Sequence, residues 1–147
     1  MQTAATSELG RLNPFVGIWD TEGEVVGGPL GQPVMFKATD TYEWLPGGYF
    51  MMHRFDANMP DGRVIGIEII AHDPEYAVYP VYSFDNRGNV NLMQGRFEGA
   101  TWTLTGEGQR FTGNFIDNEM VFTGLWEMRS GEGYAWQPLM QVRMKKM

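Results

Sequence analysis

Read for alternation of apolar and polar positions, the chain is a succession of short strands. Phe36, Ala38, Asp40, Tyr42 and Trp44 share one face, while Lys37, Thr39, Thr41 and Glu43 share the other, because successive strand side chains point to opposite sides. The aromatic face is the buried one, so Asp40 is a carboxylate placed among rings. Leu45-Pro46-Gly47-Gly48 reads as a turn, and on the strand that follows His53 falls on the face of Tyr49, Met51 and Phe55.

The same reading extends along the chain. Ser7 offers a helix N-cap, with Glu8 in the first turn, Leu9 and Leu12 on one side and Asn13-Pro14 as a stop, which predicts one short helical turn. Trp19, Thr21, Gly23 and Val25 then oppose Asp20, Glu22 and Glu24, and the three carboxylates mark the solvent face. Gly27-Gly28-Pro29-Leu30-Gly31 is a loop into the 36–55 hairpin. After the turn Asn58-Met59-Pro60-Asp61-Gly62, residues 64–72 are apolar on both faces. Ile65, Ile67 and Ile69 are expected inward there, because that sends Glu68 to solvent; the reverse parity would make Glu68 a second interior carboxylate. Strands follow at 76–84, 89–97, 101–105, 110–116, 120–128 and 135–144, with Asp85-Asn86-Arg87-Gly88 a hairpin signal between the first two.

Ten short strands with brief, Gly-rich connections and no helix long enough to cover a sheet predict an all-β, single antiparallel up-and-down barrel rather than a Greek-key sandwich, which needs longer crossovers. Gly23, Gly66, Gly95, Gly113 and Gly124, lying within strands, would allow the bends of a small barrel.

Composition narrows the function. The 147 residues suit one domain spanning 1–147, with 1–6 a loose polar tail, and 43% apolar residues are enough for a core. Aromatic residues make up 14% and there are 11 Met, so any enclosed space has large, polarizable walls. A net charge of -7 argues against nucleic acid or an anionic membrane as partner. With no Cys, disulfides, thiolate nucleophiles and Cys-based metal sites are excluded. The N-terminal stretch lacks a basic segment followed by an apolar one, and no long apolar run occurs; a cytoplasmic protein is expected. A homodimer remains open.

Several landmarks carry a resemblance. Phe15-Val16-Gly17-Ile18-Trp19 contains the G-x-W signature that opens calycin barrels, the lipocalins, fatty-acid-binding proteins and their relatives. Leu45-Pro46-Gly47-Gly48-Tyr49-Phe50, Ile70-Ala71-His72-Asp73-Pro74, Ser83-Phe84-Asp85-Asn86-Arg87-Gly88, 101–107 and 126–136 resemble successive landmarks of the lipocalin-like DUF1579 family of bacterial proteins. The resemblance covers nearly the whole chain and implies a calycin-type barrel. It implies no activity, since a fold does not determine chemistry. It also gives Trp19 a structural role, packed near the closed end.

Asp40 and His53 are the candidate catalytic pair. A buried carboxylate must be paired, hydrogen-bonded or protonated, and counting outward from Pro46-Gly47 brings Asp40 near His53. An Asp that orients a His creates a general base near neutral pH; a satisfied core His is the simpler alternative. Candidate ligand-facing residues are Phe36, Tyr42, Trp44, Met51 and Phe55 on the hairpin, with Trp102, Phe122, Trp126 and Met140 beyond it. His72 sits beside Asp73-Pro74 at a strand end, on the rim. No H-x-H or H-E-x-x-H spacing supports a metal. Fatty-acid-binding relatives hold a carboxylate with a late Arg, but Arg143 shares its face with Gln137, Leu139, Gln141 and Lys145 and is expected outside. Haem-binding barrels of the nitrobindin type use a late His, whereas the last here is His72. No cofactor is expected. Three readings stand: a binder of a hydrophobic small molecule, a cofactor-independent isomerase, cyclase or lyase using Asp40 and His53, and a side-chain-filled barrel acting as an interaction module.

Overall fold

The computed structural model describes residues 7–26 and 32–147. The tail expected at 1–6 and the loop expected at 27–31 lie outside the described residues. A short helix, α1 (Ser7–Gly10), and a 3-10 turn (Asn13–Phe15) precede ten strands. These are β1 (Gly17–Val25), β2 (Val34–Trp44), β3 (Met51–Met59), β4 (Gly62–Ile70) and β5 (Tyr79–Asp85), then β6 (Val90–Glu98), β7 (Thr101–Gly106), β8 (Gln109–Ile116), β9 (Val121–Met128) and β10 (Gln137–Lys146). Each strand pairs antiparallel with its neighbours in sequence, and β1 closes the barrel by pairing with β10 as well as β2. Closure removes every free sheet edge. Among the described residues no helix is long and apolar enough to cross a membrane.

The barrel is filled at one end. The short helix ends at Gly10, before the Asn13-Pro14 expected as its stop, and Asn13-Pro14 itself opens the 3-10 turn, since proline fits the first helical positions. That turn drives Leu12 and Phe15 into the lumen, where they are 0% and 2% exposed. The Phe15 ring lies 5.0 Å from Tyr42, 4.9 Å from Phe115 and 5.2 Å from Phe122, contacts that contribute about 0.5–1.5 kcal/mol each beyond their burial. Trp19 is fully buried, donates from Nε1 to the Phe15 carbonyl at 2.8 Å, and lies under Lys146. Rings on this scale need room, and several inward positions supply it by lacking a side chain. A Cβ on Gly23 would lie 2.0 Å from the Phe36 ring, and one on Gly124 would lie 2.1 Å from the Phe111 ring.

Two local readings change. The β2–β3 connection occupies residues 45–50, closed by a Leu45 N to Phe50 O bond of 2.8 Å, so Tyr49 lies in the loop, 61% exposed, rather than on the inner face of β3. In β4 the parity is reversed. Glu68 and Ile70 point inward while Ile65, Ile67 and Ile69 point outward, because β4 pairs with β3 so that Glu68 is opposite His53 and Ile70 opposite Met51. The outward isoleucines are not stray: Ile67 is paired with Phe84 and Ile69 with Tyr82 on the outer surface of β5. Apolar side chains on both faces of β4 left its parity ambiguous.

Candidate functional site

The site lies midway along the barrel, where β1, β2, β3 and β4 each supply one inward polar side chain. Asp40 is directly opposite Phe55, and His53 opposite Tyr42, so Asp40 and His53 are diagonal neighbours on one face, within reach across a twisted pair. His53 Nε2 lies 2.6 Å from Asp40 Oδ1, and His53 Nδ1 lies 2.7 Å from Glu68 Oε1. The other Asp40 oxygen accepts a hydrogen bond from Thr21 Oγ1 at 2.6 Å. Thr21 reaches it from β1, where Trp19 is the residue paired with Asp40. The Tyr42 ring stacks on the imidazole at 4.0 Å and 5°, an arrangement that favours a cationic ring.

Burial acts to lower the His53 pKa, but the hydrogen bonds to Asp40 and Glu68, with the charges of both, outweigh it and raise the group from 6.5 to about 9. Hydrogen bonding from both ring nitrogens to carboxylates agrees with this, since only the imidazolium donates twice. Burial, then the charges of Asp40 and Glu68, hold the Tyr42 hydroxyl well above its ordinary 10.0. Tyr42 therefore stays neutral at physiological pH. Glu68 Oε2 is the acceptor left over: it has no protein partner among the described residues, yet it is not among the fully buried unpaired atoms.

Two spaces meet at this cluster. A void of about 110 Å³ lies toward the filled end and is walled by residues including Tyr42, Trp102 and Phe122. A cavity of about 330 Å³ lies toward the other end, with Phe36, Phe55, Ala57, Val64 and Met140 in its wall. Thr21, Asp40, His53, Glu68, Trp126 and Val142 line both. The polar groups thus form the floor of the larger cavity and the roof of the smaller one.

Of the residues read from sequence, Asp40 and His53 come together directly. Phe36, Phe55, Trp126 and Met140 line the large cavity, and Tyr42, Trp102 and Phe122 the small void. Trp44 and Met51 line neither. Trp44 donates to Asn13 Oδ1 at 2.8 Å and Met51 is fully buried in the core, because both flank the hairpin turn at the filled end. Arg143 is exposed on the outer face as expected. Leu139, expected outside, lines the large cavity because β10 has an irregularity between Pro138 and Met140. His72 is half-buried with its ring 4.9 Å from Tyr79 and borders neither space. Among the described residues no group of three or more His, Asp or Glu is arranged to hold a metal ion. Thr21 and Glu68 are the site residues that the alternation pattern did not single out.

Fold and site together define a closed ten-strand antiparallel barrel of calycin-like form, an architecture suited to holding a ligand. The chain belongs to the DUF1579 family, described as "Protein of unknown function (DUF1579)", whose model matches residues 5–135. No curated protein matches it. Among solved structures it is similar to the crystal structure of Rv2717c from M. tuberculosis, with a TM-score of 0.65 and 14% identity over 97% of this chain and 98% of that one. At this identity the likeness is one of fold. A de novo designed fluorescence-activating β-barrel is similar at a TM-score of 0.49 and 13% identity, over 92% of this chain and 95% of that one.

Proposed function

We propose that the protein binds a small, largely apolar molecule in the open half of its barrel, with the polar end of that molecule seated on the Asp40–His53–Glu68 floor. The observation that carries this reading is the cavity of about 330 Å³ whose walls are mostly aromatic and aliphatic and whose floor is a preformed, hydrogen-bonded cluster. Its size falls at the lower end of the roughly 300–1,000 Å³ usual for small-molecule sites, and few convergent polar groups in an apolar wall is their usual composition. The driving force is burial of ligand surface, about 25 cal/mol per Å² of apolar area removed from water. Native mass spectrometry of the purified protein, before and after extraction with organic solvent, tests it: a discrete adduct or saturable rebinding of an apolar environment-sensitive dye is expected. Absence of both the adduct and the dye signal contradicts it.

A second reading, proton transfer on the bound molecule, is supported by the accessible Glu68 Oε2 beside the cavity. In that reading Glu68 is the base, and His53, with both ring nitrogens occupied by carboxylates, is a positioning residue that holds Glu68. Deuterium uptake from solvent next to the carbonyl of a bound ketone, lost in Glu68→Gln while binding persists, is the expected result. Unchanged uptake in that variant removes Glu68 from the role.

A further inference from the structure

The floor of the cavity also carries information about what it receives. It contains two carboxyl groups and one imidazole, an excess of one acidic group over basic ones. Nothing cationic balances it: among the described residues no Lys or Arg lines either space. Arg143 is exposed on the outer wall, and Lys146 is held at the filled end by the Pro14 carbonyl and the Trp19 ring. Trp126 and Gln109 also line the large cavity, but within the carboxyl–imidazole cluster the free hydrogen-bonding capacity is that of an acceptor. His53 spends both nitrogens on carboxylates, Asp40 accepts from His53 and Thr21, and Glu68 Oε2 is an accessible acceptor without a protein donor. The surrounding wall offers Phe36, Phe55 and Trp126, rings whose faces attract cations.

Resting on the binding reading above, we infer that the ligand is an apolar molecule ending in a protonated amine, which Glu68 Oε2 receives as an ion pair on the cavity floor. A ligand carboxylate there would set a further acidic group beside the free Glu68 oxygen, with no Lys or Arg lining the cavity to balance it, which low-dielectric surroundings make unfavourable. A neutral alcohol could use the acceptor but would leave the acidic excess unbalanced. An ammonium group does both, and charge-assisted hydrogen bonds of this kind are stronger than neutral ones.

The test uses three probes of equal chain length, octylamine, octan-1-ol and octanoate, competing with an apolar fluorophore for the full-length protein at pH 7. Octylamine is expected to bind about tenfold or more tighter than octan-1-ol, with octanoate weakest. In Glu68→Gln the amine should fall to the level of the alcohol while the alcohol is little changed. Equal binding of amine and alcohol, or octanoate binding as well as the amine, overturns the inference but leaves the binding reading standing. An amine preference that survives in Glu68→Gln also overturns it. If none of the three binds, the binding reading itself fails and takes the inference with it. Should Glu68→Gln not fold, the order of the three probes on the wild-type protein decides.

Discussion

Glu68 faces His53 directly across the β3–β4 pair, and its Oε1 lies 2.7 Å from His53 Nδ1 while Asp40 occupies the opposite nitrogen. This places an imidazolium between two carboxylates and couples folding to protonation. With the folded-state pKa raised from 6.5 to about 9, the native state binds the proton more tightly than the unfolded chain does. The stabilisation is therefore present in full below about pH 6.5 and lost as pH rises through about 9. Its size is on the order of 3 kcal/mol. Urea unfolding at pH 6.5 and pH 9.5 should show that loss in the wild type, and His53→Gln should be much flatter over the same interval. Parallel pH dependences in the two proteins would show that His53 is not the group responsible.

Thr21 closes the cluster from β1 by donating to Asp40 Oδ2 at 2.6 Å. Thr21→Val keeps the shape and removes the donor, leaving a carboxylate oxygen in a nearly buried position without its partner. A destabilisation of about 1–3 kcal/mol is expected. Thr21→Ser should recover most of it, which separates the hydrogen bond from packing of the methyl group; chemical denaturation of the three proteins makes the comparison.

Gly66 is inward on β4, two residues before Glu68, and directly opposite Phe55. A Cβ added there would fall 2.2 Å from the Phe84 carbonyl oxygen and 2.5 Å from the Phe55 ring. The ring could turn aside, but the carbonyl belongs to the paired β5 strand and cannot without disturbing the sheet. Gly66→Ala should therefore lower stability by about 1–3 kcal/mol. It should also alter the cavity wall, because Phe55 lines it. A thermal melt indistinguishable from wild type would mean that the sheet yields more readily than this geometry implies.

The barrel was legible from period-two alternation and short turns alone, and so was the Asp40–His53 pair, because both residues sit on faces whose neighbours are unambiguously aromatic or aliphatic. Glu68 was not. Its strand is apolar on both faces, with Ile67 and Ile69 outward against Phe84 and Tyr82, so assigning the charge to solvent inverted the strand. The register held the answer: Met59 pairs with Gly62 around the Pro60-Asp61 turn, and counting back from that pair puts Glu68 opposite His53. Thr21 was already on the inward face of β1, but a lone threonine gives no sign of a partner until β1 and β2 are aligned. Trp44 and Met51 illustrate the remaining gap. Alternation says that a side chain points inward, not at which height, and the Leu12–Phe15 plug that fills their level comes from a turn outside the strands.

The central claim, that the open half of the barrel takes up an apolar molecule, is tested most directly by calorimetric titration of octan-1-ol into wild type and Ala57→Phe. Ala57 lines the large cavity and lies between Ala38 and Val64 on the neighbouring strands, so a phenyl group there takes up part of that space while leaving every polar residue of the floor in place. Saturable one-to-one binding to wild type, weakened about tenfold or more in Ala57→Phe with the melting temperature little changed, is the predicted result. Binding of equal strength to both proteins, or no saturable binding to the wild type, would contradict it.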